Sequence, residues 1–168
     1  MGIKKFLIYD HDTIEPHNLA SQGYSVSEVG RRKAETTRKA ILRLNPDAEV
    51  VVVPRAYQPG DRTSDLVISA VDSIEMRRRI AEGLRPEVYV VDGRMGGGQI
   101  EVWCQLASAW MDTLMVEPSD DECAARYISY TSYIIAGIIA NSVKRHLVGQ
   151  EVPAMVMLHA DTMQVVKH

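Results

Sequence analysis

The chain has 168 residues, of which 46% are hydrophobic and 24% charged, which excludes whole-chain disorder and is enough for one domain with a real core. Nineteen Lys and Arg against twenty-two Asp and Glu give a formal charge of −3, arguing against a protein held to nucleic acid by its overall field. Two cysteines, Cys104 and Cys123, are too few for a disulfide scaffold or a four-thiolate zinc site and suit a reducing cytoplasm. The opening Met1-Gly2-Ile3-Lys4-Lys5 runs into Phe6-Leu7-Ile8-Tyr9, an apolar stretch too short for a signal peptide. The apolar run Tyr133 to Ala140 is far shorter than the ~20 residues of a membrane span. A soluble, cytoplasmic protein without membrane or nucleic-acid partners is expected.

Strand-like and helix-like segments alternate through the first half, predicting βα units and a largely parallel sheet. Lys5 to Tyr9 is a strand that stops at Asp10-His11-Asp12. Ser25-Val26-Ser27-Glu28 has capping-box spacing and predicts a helix to Leu44, with Ala34, Thr37, Ile41 and Leu44 as its buried stripe. Asn45-Pro46-Asp47 ends it. Glu49 to Val53 is the next strand, Pro54 to Thr63 a loop, and Leu66 to Val71 a buried strand ending at Asp72. Asp72-Ser73-Ile74-Glu75 caps a charged helix to Leu84, and Val88 to Val91 is a strand ending at Asp92-Gly93.

The pattern then changes. Gly96-Gly97-Gly98 leads into Gln99 to Leu106, whose alternation predicts an antiparallel strand, with Thr113 to Val116 as its pairing partner. Ser119-Asp120-Asp121-Glu122 is a third capping box. The helix it opens runs to Val148, with Ile128, Ile135, Ile138, Ile139 and Val143 on its apolar side and Gly149 just beyond. Ala154 to Leu158 and Met163 to Val166 form a terminal ribbon around Ala160-Asp161.

Asp10-His11-Asp12-Thr13-Ile14-Glu15-Pro16-His17-Asn18-Leu19-Ala20-Ser21-Gln22 resembles the D-x-D-x-(V/I)-x-x-x-N-L-x-R-Q signature of the ThiF/MoeB/HesA family, relatives of ubiquitin-activating enzymes. Further matches follow in order. They are Gly30 to Lys33 for G-x-x-K, Leu44-Asn45-Pro46 for L-N-P, Asp65 to Asp72 for D-(L/V)-V-(I/L)-D-x-x-D, and Gly98-Gln99-Ile100 for G-Q-(I/V). Met76-Arg77 corresponds to an arginine shortly after that last aspartate, and the resemblance spans nearly the whole chain.

The resemblance implies an α/β fold over residues 1–168, a single nucleotide-binding domain. Residues 1–95 would form a Rossmann-like, mostly parallel sheet truncated at its first βα unit. Residues 96–168 would add a partly antiparallel extension, a long helix and the terminal ribbon. It also implies an ATP- and Mg²⁺-dependent adenylyltransferase that activates the C-terminal carboxylate of a small β-grasp, ubiquitin-like or sulfur-carrier protein, or of a peptide. A homodimer is implied as well. By position, Asp10 resembles the acidic residue that meets the ATP ribose. Asp12 falls in the same binding stretch, and Asn18 resembles a phosphate-region contact. Lys33 resembles a lysine directed at phosphates or ribose, Asp72 the Mg²⁺-binding or orienting carboxylate, and Arg77 a supporting residue. Lys33, Asp72 and Cys123 are the catalytic candidates.

The sequence departs from the family pattern in two places. No G-x-G-x-x-G precedes Lys5, where the family has a glycine-rich strand, loop and helix, and Ser21 stands where the family has an arginine, with Arg31 or Arg32 as substitutes. The alternative function is therefore a non-catalytic module that docks a β-grasp protein or a complete paralogue; a missing dinucleotide fingerprint disfavours an NAD-dependent protein. Individual residues also have plainer explanations. Asp72 is also placed to cap the following helix. Gly96 to Gly98 lacks the Lys-Ser/Thr of a phosphate loop and reads as a turn. Arg77, Arg78 and Arg79 read as a solvated helix face. Cys123 is either a thioester nucleophile or incidental, because a helix N-terminus lowers a thiol's pKa while the anions Asp120, Asp121 and Glu122 raise it. His11, His17, His146 and His159 show no ligand spacing and are assigned to the surface.

Overall fold

Lys5–Tyr9 forms β1 and Glu49–Val53 forms β2, paired in parallel with Lys5 opposite Glu49 and Tyr9 opposite Val53. Between them runs α1, Lys33–Leu44, in the βαβ order that parallel pairing of two consecutive strands requires. This is a computed structural model, and it describes residues 2–115 and 129–168. Packing divides the chain into two compact units, Met1–Gln58 and Pro59–His168.

In the first unit the register is fixed at both ends of the strand pair. The Glu49 amide donates to the Lys4 carbonyl at 2.7 Å and the Asp10 amide to the Val53 carbonyl at 3.3 Å. The Asn45 side chain ties the end of α1 back to the chain entering β1, donating to the Ile3 carbonyl at 3.0 Å.

The helix expected from Ser25 to Leu44 is two pieces. The Ser25 capping box is present, with its amide on Glu28 Oε2 at 2.7 Å, but it closes only the 3₁₀ turn Val26–Glu28. Val29 then leaves helical geometry, because residues 30–32 are taken up by pairing with Thr13 and Ile14. The Gly30 amide donates to the Ile14 carbonyl and the Ile14 amide to the Arg31 carbonyl, both at 2.8 Å. The predicted stripe is corrected in one place: Ala34 is buried, as is Thr36, while Leu44 is 83% exposed at the helix end.

The second unit holds a five-stranded sheet in the order β3-β4-β5-β6-β7. Its strands are Leu66–Ser69, Tyr89–Gly96, Gln99–Leu106, Met155–His159 and Gln164–Lys167. β3 and β4 are parallel and joined by α2, Ile74–Gly83; the remaining pairs are antiparallel. The fold is thus α/β, with a parallel sheet, a partly antiparallel sheet and a C-terminal helix. β3 stops at Ser69, short of the predicted Val71, and β4 continues past the predicted end at Asp92-Gly93. It runs on to Gly96 because its outer half pairs with β5 as a hairpin, turned at Gly97 with φ +57°. The triglycine is the turn expected of it.

β5 alternates as predicted, burying Ile100, Val102 and Cys104. Val90 and Val91 of β4 are both fully buried, as suits a central strand covered on both faces. One cover is α4, Ser129–Leu147, which packs on β4 and β5 and is followed by Gly149 at φ +69°. It seats closely at Gly93, where a Cβ would lie 2.9 Å from Ile139 Cδ1 and 3.1 Å from Ile135 Cδ1.

The predicted strand Thr113 to Val116 is not found over its described residues, 113–115. Ala107–Trp110 forms the short helix α3, continued by a 3₁₀ turn over Met111–Leu114, and burial of Trp110 and Leu114 requires that coil. The capping box Ser119 to Glu122, Cys123, Tyr127 and Ile128 lie outside the described residues. No helix among the described residues is long and apolar enough to cross a membrane.

Candidate functional site

The signature at the end of β1 is organised by the chain's own backbone. Asp10 leaves the strand's carboxyl end, and its Oδ1 accepts the Asp12 amide at 2.7 Å, closing an Asx turn that folds the loop back. That turn sets up the short pairing of residues 13–14 with 30–32, which carries Lys33 to Asp12 across the sequence. The Lys33 amide donates to the Asp12 carbonyl at 3.0 Å and Lys33 Nζ to Asp12 Oδ2 at 2.9 Å. The Lys33 side chain is only 13% exposed whereas that of Asp12 is 48% exposed, so the pair has one open side.

The hydrogen bond from Lys33 holds the Asp12 carboxyl below its ordinary pKa, outweighing the opposing effect of partial burial. His11 Nε2 lies 3.4 Å from Asp12 Oδ1, and Arg32 Nη1 donates to the His11 carbonyl. Arg32, one of the two substitutes expected for the arginine missing at Ser21, therefore anchors the Asp10–Asp12 loop; Arg31 is exposed.

Asn18 is buried in the 3₁₀ turn Pro16–Asn18, and its Oδ1 accepts the Glu15 amide at 2.9 Å. That bond is a structural one, and it fixes the loop after the signature aspartates. In the first unit the structure thus brings together Asp10, Asp12 and Lys33, with Asn18 bracing the same loop.

Asp72 lies in the second unit, in the exposed connection after β3. It does not cap α2. Ser73 does, its Oγ accepting the Met76 amide at 3.1 Å, so the side chain of Asp72 has no hydrogen bond or ion pair among the described residues. Cys123 lies outside the described residues.

Burial overturns the solvated-face expectation for Arg77. Its side chain is 8% exposed, Nε donates to Asp92 Oδ1 at 2.9 Å, and Nη2 donates to the Gly93 carbonyl at 2.9 Å. Asp92 is fully buried on the face opposite α4 and also accepts from Arg94 Nε at 2.7 Å and Trp110 Nε1 at 3.1 Å. Arg94 reaches on to Thr113 Oγ1 at 2.8 Å, and Arg78 Nε donates to the Leu114 carbonyl at 2.9 Å. Of the three arginines only Arg79 is on a solvated face, paired with Glu75. This hub, which holds residues 110–114 against α2 and β4, was not visible beforehand. Its one signal is a carboxylate closing an otherwise apolar strand run, Val88 to Asp92.

Chemically, the first-unit cluster offers a carboxylate with one oxygen free and a largely covered ammonium at the carboxyl end of a parallel strand. That is where open α/β sheets bind ligands. Asp10, His11 and Asp12 place one ligand atom each within 4.8 Å of the others. Lys33 competes for Asp12 there, and Mg²⁺ prefers oxygen donors, so the unencumbered Asp72 fits that ion better. A polar cluster of two carboxylates and an ammonium, at the carboxyl end of a parallel strand on an α/β scaffold, is the class these features define.

The chain belongs to the ThiF family, whose profile matches residues 1–166. It is 30% identical over 112 residues to the molybdopterin-synthase adenylyltransferase of Escherichia coli K12, covering 61% of this chain and 45% of that protein. It is 27% identical over 95 residues to ubiquitin-like modifier-activating enzyme 5 of Caenorhabditis elegans, covering 47% of this chain and 23% of that one. Among solved structures, Escherichia coli MccB with selenomethionine MccA superposes with a TM-score of 0.75 at 15% identity, over 99% of this chain and 56% of MccB. MccB with ATP superposes at 0.72 and 14% identity, with the same coverage. The chain spans less than half the length of these curated relatives, and the structural likeness shows the fold.

Proposed function

We propose that this chain binds ATP with Mg²⁺ and serves the adenylation of the C-terminal carboxylate of a small ubiquitin-like or sulfur-carrier protein, or of a peptide. The observation that carries this is the Asp10–Asp12–Lys33 cluster at the carboxyl end of β1 in a ThiF-family chain. The relatives' names support it: one is a molybdopterin-synthase adenylyltransferase, and MccB is described with ATP and with MccA.

In this mechanism Asp10 accepts ribose hydroxyls with the oxygen its Asx turn leaves free. Asp12 orients the Lys33 ammonium, whose remaining protons screen the phosphates. For Mg²⁺ the second unit offers Asp72, which would hold the ion, and the ion would supply neutralisation of phosphate charge. The substrate carboxylate attacks the α-phosphorus and pyrophosphate leaves, so the work of the protein is to position two anions and offset their repulsion. Cys123 as a nucleophile and a cytoplasmic location belong to the same proposal.

A second function is favoured by one observation. The glycine run Gly96–Gly98 turns a hairpin and does not open a helix onto phosphates, which suits a module that docks a β-grasp protein or a complete paralogue without turnover.

Thermal unfolding with ATP·Mg²⁺ separates the two. Nucleotide at a hundred times its Kd should stabilise the chain by ~2.7 kcal/mol, and Asp10→Asn and Lys33→Met should abolish the shift. Wild-type chain that ignores ATP·Mg²⁺ refutes nucleotide binding. A shift that both variants retain refutes the assigned site.

A further inference from the structure

The sheet of the second unit ends at β7, which pairs only with β6 among the described residues. Met155 and His168 exchange both of their main-chain hydrogen bonds, at 3.1 and 3.0 Å. Antiparallel pairs alternate between bonded and non-bonded, so Val166 and Gln164 also turn their amides and carbonyls toward β6. Val165 and Lys167 turn theirs away from the sheet. The strand is exposed along its whole length, Val165 at 53% and Val166 at 44%. A regular edge with adjacent valines is a template for another strand.

Beside that edge lies an open groove of about 510 Å³. Side chains two apart on a strand share a face, and Val165 and Lys167 are the pair that line the groove, next to Val156 and Leu158 of β6. The residues with outward main-chain groups are therefore the ones whose side chains floor the groove. α4 forms the facing wall with Ile134 and Ile138. Gly137 leaves that wall open, since no atom lies within 4 Å of where its Cβ would be.

Charge narrows what fits. The chain carries a formal charge of −3, yet no Asp or Glu lines the groove, and Arg145 and Lys167 both do. Arg145 Nε donates to the Glu151 carbonyl at 2.6 Å, which braces the guanidinium and leaves its terminal nitrogens without a partner among the described residues. Lys167 has no carboxylate partner among them either.

We infer that β7 takes an extended peptide segment of another protein as a further antiparallel strand. An acidic side chain of that segment meets Lys167 and Arg145, and an apolar one, two positions on, meets Val165 in the groove. The spacing of two follows from the register, because the partners of alternate residues fall on one face. Main-chain bonds to Val165 and Lys167 supply affinity and the groove supplies selection. A helix laid in the groove would leave those outward amides and carbonyls unused. The site lies wholly in the second unit, reads the middle of a segment and not its carboxyl end, and does not rest on nucleotide binding.

Fluorescence anisotropy with the labelled peptide Ser-Thr-Glu-Val-Ile-Thr-Ser-amide, titrated with the full 168-residue chain, tests it. The blocked carboxyl end keeps carboxylate activation out of the measurement. Saturable binding is expected, weakened roughly tenfold or more by Lys167→Glu, and that variant should prefer a peptide with Lys in place of Glu. Val165→Pro removes only an outward amide, so it should abolish binding while leaving the circular dichroism native. A peptide N-methylated at its Ile, which cannot donate to Val165, should not bind the unaltered chain. Absence of saturable binding overturns the proposal, as does binding indifferent to Val165→Pro or to N-methylation. A Lys167→Glu chain that does not prefer the Lys peptide, or self-association that buries β7 and shuts the peptide out, overturns it as well.

Discussion

Replacing Asp92 tests whether the buried hub holds the second unit together. The carboxylate is 0% exposed, and its arginine partners are 8% and 20% exposed, so the two cations share one anion away from solvent. Asp92→Ala leaves both guanidinium groups without their counter-charge, each keeping only a neutral acceptor, Gly93 or Thr113, and leaves the Trp110 indole N–H without its acceptor. Breaking a buried pair by removing one partner costs about 3–5 kcal/mol, against a typical domain stability of ~5–15 kcal/mol. For a chain of this size that is a fall in melting temperature of roughly 6–20 °C. Both tryptophans, Trp103 and Trp110, lie in the second unit, so urea unfolding followed by their fluorescence reports this unit specifically. Asp92→Asn should cost somewhat less, because an amide keeps one acceptor. Arg77→Met with Asp92→Leu should lose less than the sum of the single changes, since apolar replacement removes the desolvation cost. As a control, Asp65→Asn breaks an equally short ion pair with Arg85 at the surface and should leave the midpoint unchanged. A loss below about 1 kcal/mol for Asp92→Ala would refute the reasoning.

Gly93→Ala puts a methyl 2.9 Å from Ile139 Cδ1 and should cost about 1–3 kcal/mol in the same urea assay, by forcing α4 off β4. The Asp12 carboxyl titrates lower in the folded chain than when unfolded, so its contribution is present above about pH 4 and lost as pH falls through the folded value. The stability advantage of wild type over Lys33→Met should therefore persist from neutral pH to about pH 5 and vanish in stronger acid, as read by urea midpoints across pH. Burial raises the Cys104 thiol above its ordinary pKa, its hydrogen bond with Ser142 opposing only in part. In a Cys123→Ala background, Ellman's reagent at about pH 8 should find no reactive thiol in native chain and one after denaturation.

Much of the architecture could be read from local pattern. β1 and β2 were legible to the residue because an apolar run, Phe6 to Tyr9, and a β-branched one, Val50 to Val53, are bounded by Asp10 and Pro54 and leave little choice of limits. The β4–β5 turn and the end of α4 were legible because Gly97 and Gly149 sit at positive φ, where other residues strain. What failed was whatever depends on pairing far along the chain. Ser25 to Glu28 satisfies the capping-box rule in a 3₁₀ turn as well as in an α-helix, and only Ile14, eleven residues before Ser25, decides which forms. Asp72 and Ser73 are both cap residues by type, and adjacency hides which is used. Arg77 shares a charged run with Arg78 and Arg79, and its burial follows from Asp92 on another strand.

The candidate site shows the same division. Its residue types were legible from the Asp10-to-Gln22 stretch and from Gly30 to Lys33, but no helical or strand period joins Asp12 to Lys33. They meet because residues 13–14 and 30–32 pair in extended form, an arrangement that excludes the very helix the local sequence advertises. The lost helical turns between Val29 and Arg32 are therefore the structural condition for the ion pair. A chain that completed the helix from Ser25 would carry Lys33 away from Asp12 and leave the Asx turn at Asp10 with nothing to present. The helical hydrogen bonds given up there are replaced by those of the pairing itself, Gly30 to Ile14, Ile14 to Arg31 and Lys33 to Asp12, and it is this exchange that holds one half-exposed carboxylate beside one largely covered ammonium.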